Sequence, residues 1–174
     1  MGKLKIYLGD MTYDTITLST ETFPLIIGFI ASFCKKKYGD NIEITLFKYI
    51  NELEEAIINS PPDILGMSNY VWCQNISLEL FKIFKERNSS GITIWGGPNF
   101  PLDLESQEKF LKKHDIVDIY IPVEGETGFA NVVEQCIKLD NNNLRQILSN
   151  SIEGCIVRNP KNELKYKESI QRIS

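Results

Sequence analysis

Five short apolar runs, each followed by a stretch of helical period, constrain this chain more than any other feature. Lys3–Leu8 alternates apolar and polar residues and stops at Gly9-Asp10, and the loop Asp10–Thr22 that follows is rich in Thr, Ser and Asp. Later runs are Ile42–Phe47, Asp63–Met67, Ile92–Trp95 and Val117–Pro122. Runs of this length, bounded by turn residues, read as strands. After them apolar residues recur every three or four positions over Phe23–Tyr38, Asn51–Asn59, Trp72–Arg87, Asp103–His114 and Gly125–Leu139. That spacing puts one apolar face on each of five helices. The punctuation agrees: Gly39 closes the first helix, Asn51 is placed to cap the second, and Pro61-Pro62 ends it. Strands alternating with helices predict an α/β fold, a doubly wound parallel five-stranded sheet with helices on both faces. Past the polar loop Asp140–Asn143 the pattern changes. Cys155–Val157, the turn signal Asn159–Asn162 and the returning run Leu164–Lys167 predict a C-terminal β-hairpin. The expected division is therefore 1–143 as the α/β domain and 144–174 as hairpin and linker, with a tail after Glu168 that has no core of its own.

Charge and cysteine usage narrow the function classes. The 174 residues carry a formal net charge of -4, which argues against a partner held through phosphates. Lys35, Lys36 and Lys37 cluster at the predicted C-terminus of the first helix, where they complement its dipole. No segment is apolar enough to span a membrane: Phe23–Phe33 is too short and runs into those three lysines. Cys34, Cys73, Cys136 and Cys155 lack metal-ligand spacing and form no Cys-x-x-Cys, a usage that fits a reducing cytoplasm. They read as small buried hydrophobes; Cys73, at a helix start, could also be activated, with packing the favoured reading. The single histidine, His114, near the end of the fourth helix, is expected to be a solvated surface residue.

In open sheets of this kind ligands bind beyond the carboxyl ends of the strands. The residues there are small, polar or glycine. Asp10-Met-Thr12 follows the first strand, Ser68-Asn69-Tyr70 the third, Gly96-Gly97-Pro98 the fourth and Glu124-Gly125-Glu126 the fifth. Two consecutive glycines at a strand end cost backbone entropy. Either Ile94–Phe100 makes a tight turn there, or something flat approaches the backbone. Glu126 and Thr127 could cap the fifth helix, or the helix start could receive a neutral polar group, since the two glutamates would repel a phosphate. A carboxylate pair could also do acid–base work, although no nucleophile or base stands at matched spacing. Glycine-rich dinucleotide and phosphate-loop fingerprints are absent. A phosphoryl-accepting receiver would need an Asp at the end of the third strand and a Lys after the fifth, where this chain has Met67-Ser68 and Pro122-Val-Glu124.

Taken in order, Pro62–Tyr70, Ile94–Pro98 and Val117-Asp118 leading to Glu124–Glu126 resemble the N-terminal cobalamin-binding domain of B12-dependent radical S-adenosylmethionine enzymes. The resemblance covers Lys3–Leu139, and Ile152–Lys167 is similar to the hairpin that follows. It implies a Rossmann-like domain that holds cobalamin over the strand ends. By it, Ser68 and Gly96-Gly97 line the nucleotide tail, Glu124, Gly125 and Glu126 lie beside that tail, and Pro98, Asn69, Tyr70, Asp10 and Thr12 belong to the same site, with Tyr70 facing the corrin. Two departures matter. Many cobalamin domains carry Asp-x-His-x-x-Gly after the first strand, with the His on cobalt; here Thr12 takes the His position and Thr15 the Gly position, so no metal ligand is assigned. The Cys-x-x-x-Cys-x-x-Cys of the radical enzymes is also missing, so no catalytic residue is assigned. The iron–sulfur cluster and S-adenosylmethionine would bind a catalytic domain absent from this chain, on the same longer chain or a separate one. The expected function is a cobalamin-binding module serving methyl transfer or carbon-skeleton chemistry. The rival is a cofactor-free α/β interaction module.

Overall fold

A computed structural model of the chain describes residues 2–12, 24–139 and 143–168. Strands β1 (Leu4–Gly9), β2 (Ile42–Phe47), β3 (Ile64–Ser68), β4 (Ile92–Gly96) and β5 (Ile119–Ile121) run parallel. Helices α1 (Leu25–Tyr38), α2 (Ile50–Asn59), α3 (Gln74–Arg87), α4 (Leu104–Lys113) and α5 (Gly125–Lys138) alternate with them. A 3-10 helix at Leu144–Ser149 precedes β6 (Cys155–Arg158) and β7 (Leu164–Lys167). The sheet order is β2-β1-β3-β4-β5-β6-β7. The hairpin thus extends the sheet: β6 pairs antiparallel with β5, Ile119 opposite Val157 and Tyr120 opposite Ile156. This covers the hydrogen-bonding edge that β5 would otherwise expose.

Alternation along the strands builds two cores. Ile6 and Leu8, Ile64, Ile94, and Ile119 and Ile121 point to one face, under α1 and α5. Tyr7, Leu65 and Met67, Trp95 and Tyr120 point to the other, under α2, α3 and α4. The chain steps from β1 outward to β2, then back across to β3, β4 and β5. Right-handed crossovers in opposite directions place α1 on one face and α2–α4 on the other. The strand order reverses between β1 and β3, so the switch point lies at their carboxyl ends.

Local physics accounts for some element ends. Asp103 caps α4, its carboxylate accepting from the Ser106 N–H at 2.9 Å. Lys35 donates to the Gly39 carbonyl at 2.9 Å, closing α1. Asn51 lies inside the first turn of α2, whose cap position is Tyr49, and Trp72 precedes α3 rather than opening it. Phe23, most of the loop to Thr22 (Thr15 included) and the tail from Ser169 lie outside the described residues. Leu144, Ile147 and Leu148 of the 3-10 helix are buried in the same cluster as α1 and α5.

His114 is not a solvated surface residue. It is 8% exposed, with its ring 5.6 Å from Trp95 and 4.5 Å from Phe110. Nδ1 lies 2.8 Å from the Phe110 carbonyl, and burial holds its pKa below the usual imidazole value. The cause is the turn after α4: the His114 N–H bonds back to Leu111, which rolls the imidazole inward onto the aromatic cluster. Asp118 lies at the amino end of β5, away from the strand ends that matter for ligands. Its carboxylate is held by Lys85 at 2.5 Å, Arg145 at 3.0 Å and the Thr93 N–H at 2.9 Å, which ties α3, β4 and the 3-10 helix together.

Candidate functional site

Register explains why a hollow opens at the switch point. On the α1/α5 face, Leu8 pairs with Gly66 and Gly66 with Ile94; one step on, Ser68 pairs with Gly96 and Gly96 with Ile121. Gly66, Ser68 and Gly96 therefore put almost no side chain on the floor between β1 and β5. Ile26, Ile27 and Ile30 of α1 and Phe129 of α5 form the walls. The result is a largely aliphatic cleft of about 390 Å³, open at the carboxyl edge. That volume lies within the usual range for small-molecule sites, roughly 300–1,000 Å³.

The residues expected at the site divide among several places. Ser68, Tyr70, Gly96, Gly97, Pro98 and Gly125 line the cleft. Asp10 and Thr12 line an adjoining groove of about 360 Å³ with Lys48 and Trp72, and Tyr70 and Ile26 border both hollows. Glu124 borders a third hollow beyond Pro122 and Val123, with Leu102, Leu104 and Tyr166. Glu126 lines none of these three, and with Thr127 it sits in the first turn of α5, after the cap position Glu124.

Asn69 does not line the cleft; it braces it. The residue is fully buried, and its side-chain amide donates to the Asn99 carbonyl at 2.7 Å and to the Tyr120 hydroxyl at 3.1 Å. The Tyr120 hydroxyl donates in turn to the Gly97 carbonyl at 2.9 Å. These bonds lock the loops after β3 and β4 against each other. They also explain Gly97 without any ligand. Its φ is 135°, and a Cβ there would sit 2.6 Å from the Asn69 carbonyl oxygen. Only glycine fits that backbone and that approach. A Cβ on Gly96 would meet the Ile121 carbonyl at 3.2 Å and the Ile121 Cβ at 3.7 Å.

Burial raises the pKa of Asp10, and a hydrogen bond from the Ser68 side chain opposes that shift. Tyr70 is raised by burial and then by the Asp10 charge. The Cys73 thiol is also raised by burial, and its Sγ–H points to the Ser68 carbonyl at 3.3 Å, so it is packed rather than activated. Cys34, Cys136 and Cys155 are buried, their thiols pushed up to about 12. The aliphatic part of the site was missed by sequence reasoning. Gly66, inside Asp63–Met67, was the available signal, since a strand glycine marks close approach by a ligand or a neighbour.

A doubly wound sheet with a ligand-sized cleft at its switch point defines a Rossmann-like fold. The chain is similar in sequence to the cobalamin-dependent radical SAM methyltransferase TokK of Streptomyces tokunonensis, at 27% identity over 116 residues, 63% of this chain. It is 26% identical over the same length to a 2-(S-pantetheinyl)-carbapenam-3-carboxylate methyltransferase of Streptantibioticus cattleyicolor. The chain covers 16% of the length of each. Among solved structures, the cobalamin-dependent S-adenosylmethionine radical enzyme OxsB, with aqua-cobalamin and S-adenosylmethionine bound, matches 98% of this chain with a TM-score of 0.68 at 16% identity. The match covers 23% of that enzyme. Apo OxsB gives a TM-score of 0.63. No family model matches the chain. The resemblance read from the sequence is thus borne out: the relative TokK and the fold neighbour OxsB are both cobalamin-dependent radical enzymes.

Proposed function

We propose that this chain is a cobalamin-binding module that works with a radical S-adenosylmethionine catalytic domain carried outside it. The observation that carries the reading is the cleft itself. The residues behind the resemblance, Ser68 and Gly96–Pro98, line an aliphatic slot at the switch point of the sheet. Its lining of Ile26, Ile27, Ile30, Ile94 and Ile121 is apolar, as an aromatic base requires, and Ser68 supplies a hydroxyl. The residues present therefore fit a nucleotide tail.

Cobalamin would supply the cobalt chemistry of methyl transfer or carbon-skeleton rearrangement. This chain's part is to bind and orient. Tyr70, stacked on Trp72 at 4.6 Å with 5° between the rings, borders the cleft mouth on the side where the corrin would stand. Asp10, Thr12 and Tyr70 would lie under the corrin, Asn69 would hold the loops, and Glu124, Gly125 and Glu126 would flank the tail. The only histidine, His114, is packed on Trp95 under the opposite face of the sheet, so no imidazole of this chain would ligate cobalt. We assign 1–143 to the cofactor domain and 144–174 to the hairpin and linker that would lead toward catalysis. Free cysteines and the absence, among the described residues, of a helix able to cross a membrane suit a cytoplasmic setting.

Purified protein mixed with hydroxocobalamin and desalted should keep the visible absorbance of a corrin, with no imidazole-ligated spectrum. A colourless product overturns the reading. It would favour the cofactor-free interaction module, for which the exposed Leu102, Leu104, Val71 and Val123 at the same sheet edge speak.

A further inference from the structure

We propose that the groove between edge strand β2 and helix α1 docks an extended segment of another protein. That segment adds to the sheet as a strand alongside β2, with apolar side chains along its length and acidic residues at one end. The inference is independent of the cobalamin reading. β2 and the hairpin strand β7 are the two ends of the sheet, and no residue of the groove lines the cleft.

Backbone direction comes first. The Phe47 carbonyl accepts from the Asp10 N–H at 3.1 Å, so the Phe47 backbone faces β1. Amide directions alternate along a strand, so Glu43 and Thr45 face β1 as well, and Ile42, Ile44 and Leu46 turn their N–H and C=O groups away from the sheet. Among the described residues no strand pairs with that side. The Lys35 ammonium reaches the Ile42 carbonyl at 3.4 Å, which leaves Ile44 and Leu46 as the open edge. Side chains define the ligand. The groove, about 620 Å³, is walled by Ile44 and Leu46 of β2 and by Ala31 and Ser32 of α1. Ile44 and Leu46 are half-buried against the core, and an added strand would complete their burial. Lys3, Lys35 and Lys36 gather where β2 begins. Glu43 and Asp40 stand at the same end, with Asp40 shared at 3.9 Å from both Lys3 and Lys35. Three lysines against two carboxylates make this corner positive on a chain of net charge -4, which favours carboxylates in the incoming strand. A sheet edge beside a helix is the geometry that strand-adding peptide-binding domains use.

The test titrates the whole chain with fluorescein-labelled octapeptides, followed by fluorescence anisotropy. Six residues alternate threonine and valine; two glutamates follow them in one peptide and precede them in another. One of the two should saturate, and lysines in place of its glutamates should weaken it by at least about tenfold. Strand addition uses only alternate amides of the peptide. N-methylation of all its threonines or of all its valines should therefore abolish binding in one case and leave it within about threefold in the other. Ile44→Pro removes an outward N–H at an edge position that tolerates proline, and should abolish binding with an unchanged far-ultraviolet circular dichroism spectrum. The methylated peptides decide the matter even if that variant unfolds. Lys36→Glu should weaken binding about three- to tenfold, and Lys36→Arg should not. The proposal is overturned if neither glutamate peptide binds, in which case the lysines only guard the edge. It is overturned too if the lysine peptide binds equally well, or if the two methylated peptides bind alike. A chain that sediments as a dimer and returns to monomer with Ile44→Pro puts a second copy on the edge, and that also overturns it. Retention of hydroxocobalamin tests the cleft alone, so the two readings stand or fall separately.

Discussion

Replacing Gly97 by alanine would put a Cβ 2.6 Å from the Asn69 carbonyl oxygen and 2.9 Å from its nitrogen. Neither atom can yield cheaply. The Asn69 N–H is bonded to Gly96, and its carbonyl accepts from Asn99 at 3.2 Å. Holding an alanine at a φ of 135° costs on the order of 1–3 kcal/mol. Overpacking against fixed backbone adds about 1–3 kcal/mol. The expected loss is about 2–6 kcal/mol, large beside a typical stability of about 5–15 kcal/mol. For a domain of this size each kcal/mol moves Tm by roughly 2–4 °C, so a fall of about 4–24 °C is expected. Thermal unfolding followed by far-ultraviolet circular dichroism measures it. Gly96→Ala is the control: its Cβ meets one carbonyl at 3.2 Å and its backbone is not in the glycine-only region. That variant should melt within a few degrees of wild type. If Gly97→Ala melts within about 2 °C of wild type yet loses hydroxocobalamin, the glycine is bare for a ligand and the packing explanation is wrong.

Asp118→Ala should cost about 1–3 kcal/mol, because it leaves the mostly buried Lys85 and the Thr93 N–H without their carboxylate, while Arg145, 40% exposed, stays partly solvated. A urea midpoint unchanged from wild type would refute that. His114 gives a pH signature. Its folded pKa lies below the unfolded value of about 6.5, so the unfolded state binds the proton first. Its contribution is fully present above that unfolded value and is lost as pH falls below it, toward the folded pKa. His114→Phe should therefore flatten the decline in stability between about pH 7 and 5; an equally steep decline in the variant would show that other groups cause it.

Much of this protein was determined by the order of its residues. Period 2 and period 3.6 are local, so the alternation of β1–β5 with five helices is legible from runs such as Ile92–Trp95 and Phe23–Tyr38. Turn chemistry is local too, and Asp103 caps α4 as its type and place predict. The strand-end residues Ser68 and Gly96–Pro98 were legible because the sheet gathers carboxyl ends on one edge whatever the helix lengths. Tertiary structure alone decided the rest. Whether His114 faces water depends on how the turn after α4 meets Trp95, a contact across elements that no periodicity encodes. The pairing of β6 with β5 joins residues far apart in sequence, and the sequence contains no register for it. The cleft arises because register aligns Gly66 with Leu8 and Ile94 beneath the isoleucines of α1. Gly97 shows the division most sharply: its bareness was visible in the sequence, but its cause, the Asn69 backbone 2.6 Å from where a Cβ would sit, exists only once β3 and β4 lie side by side.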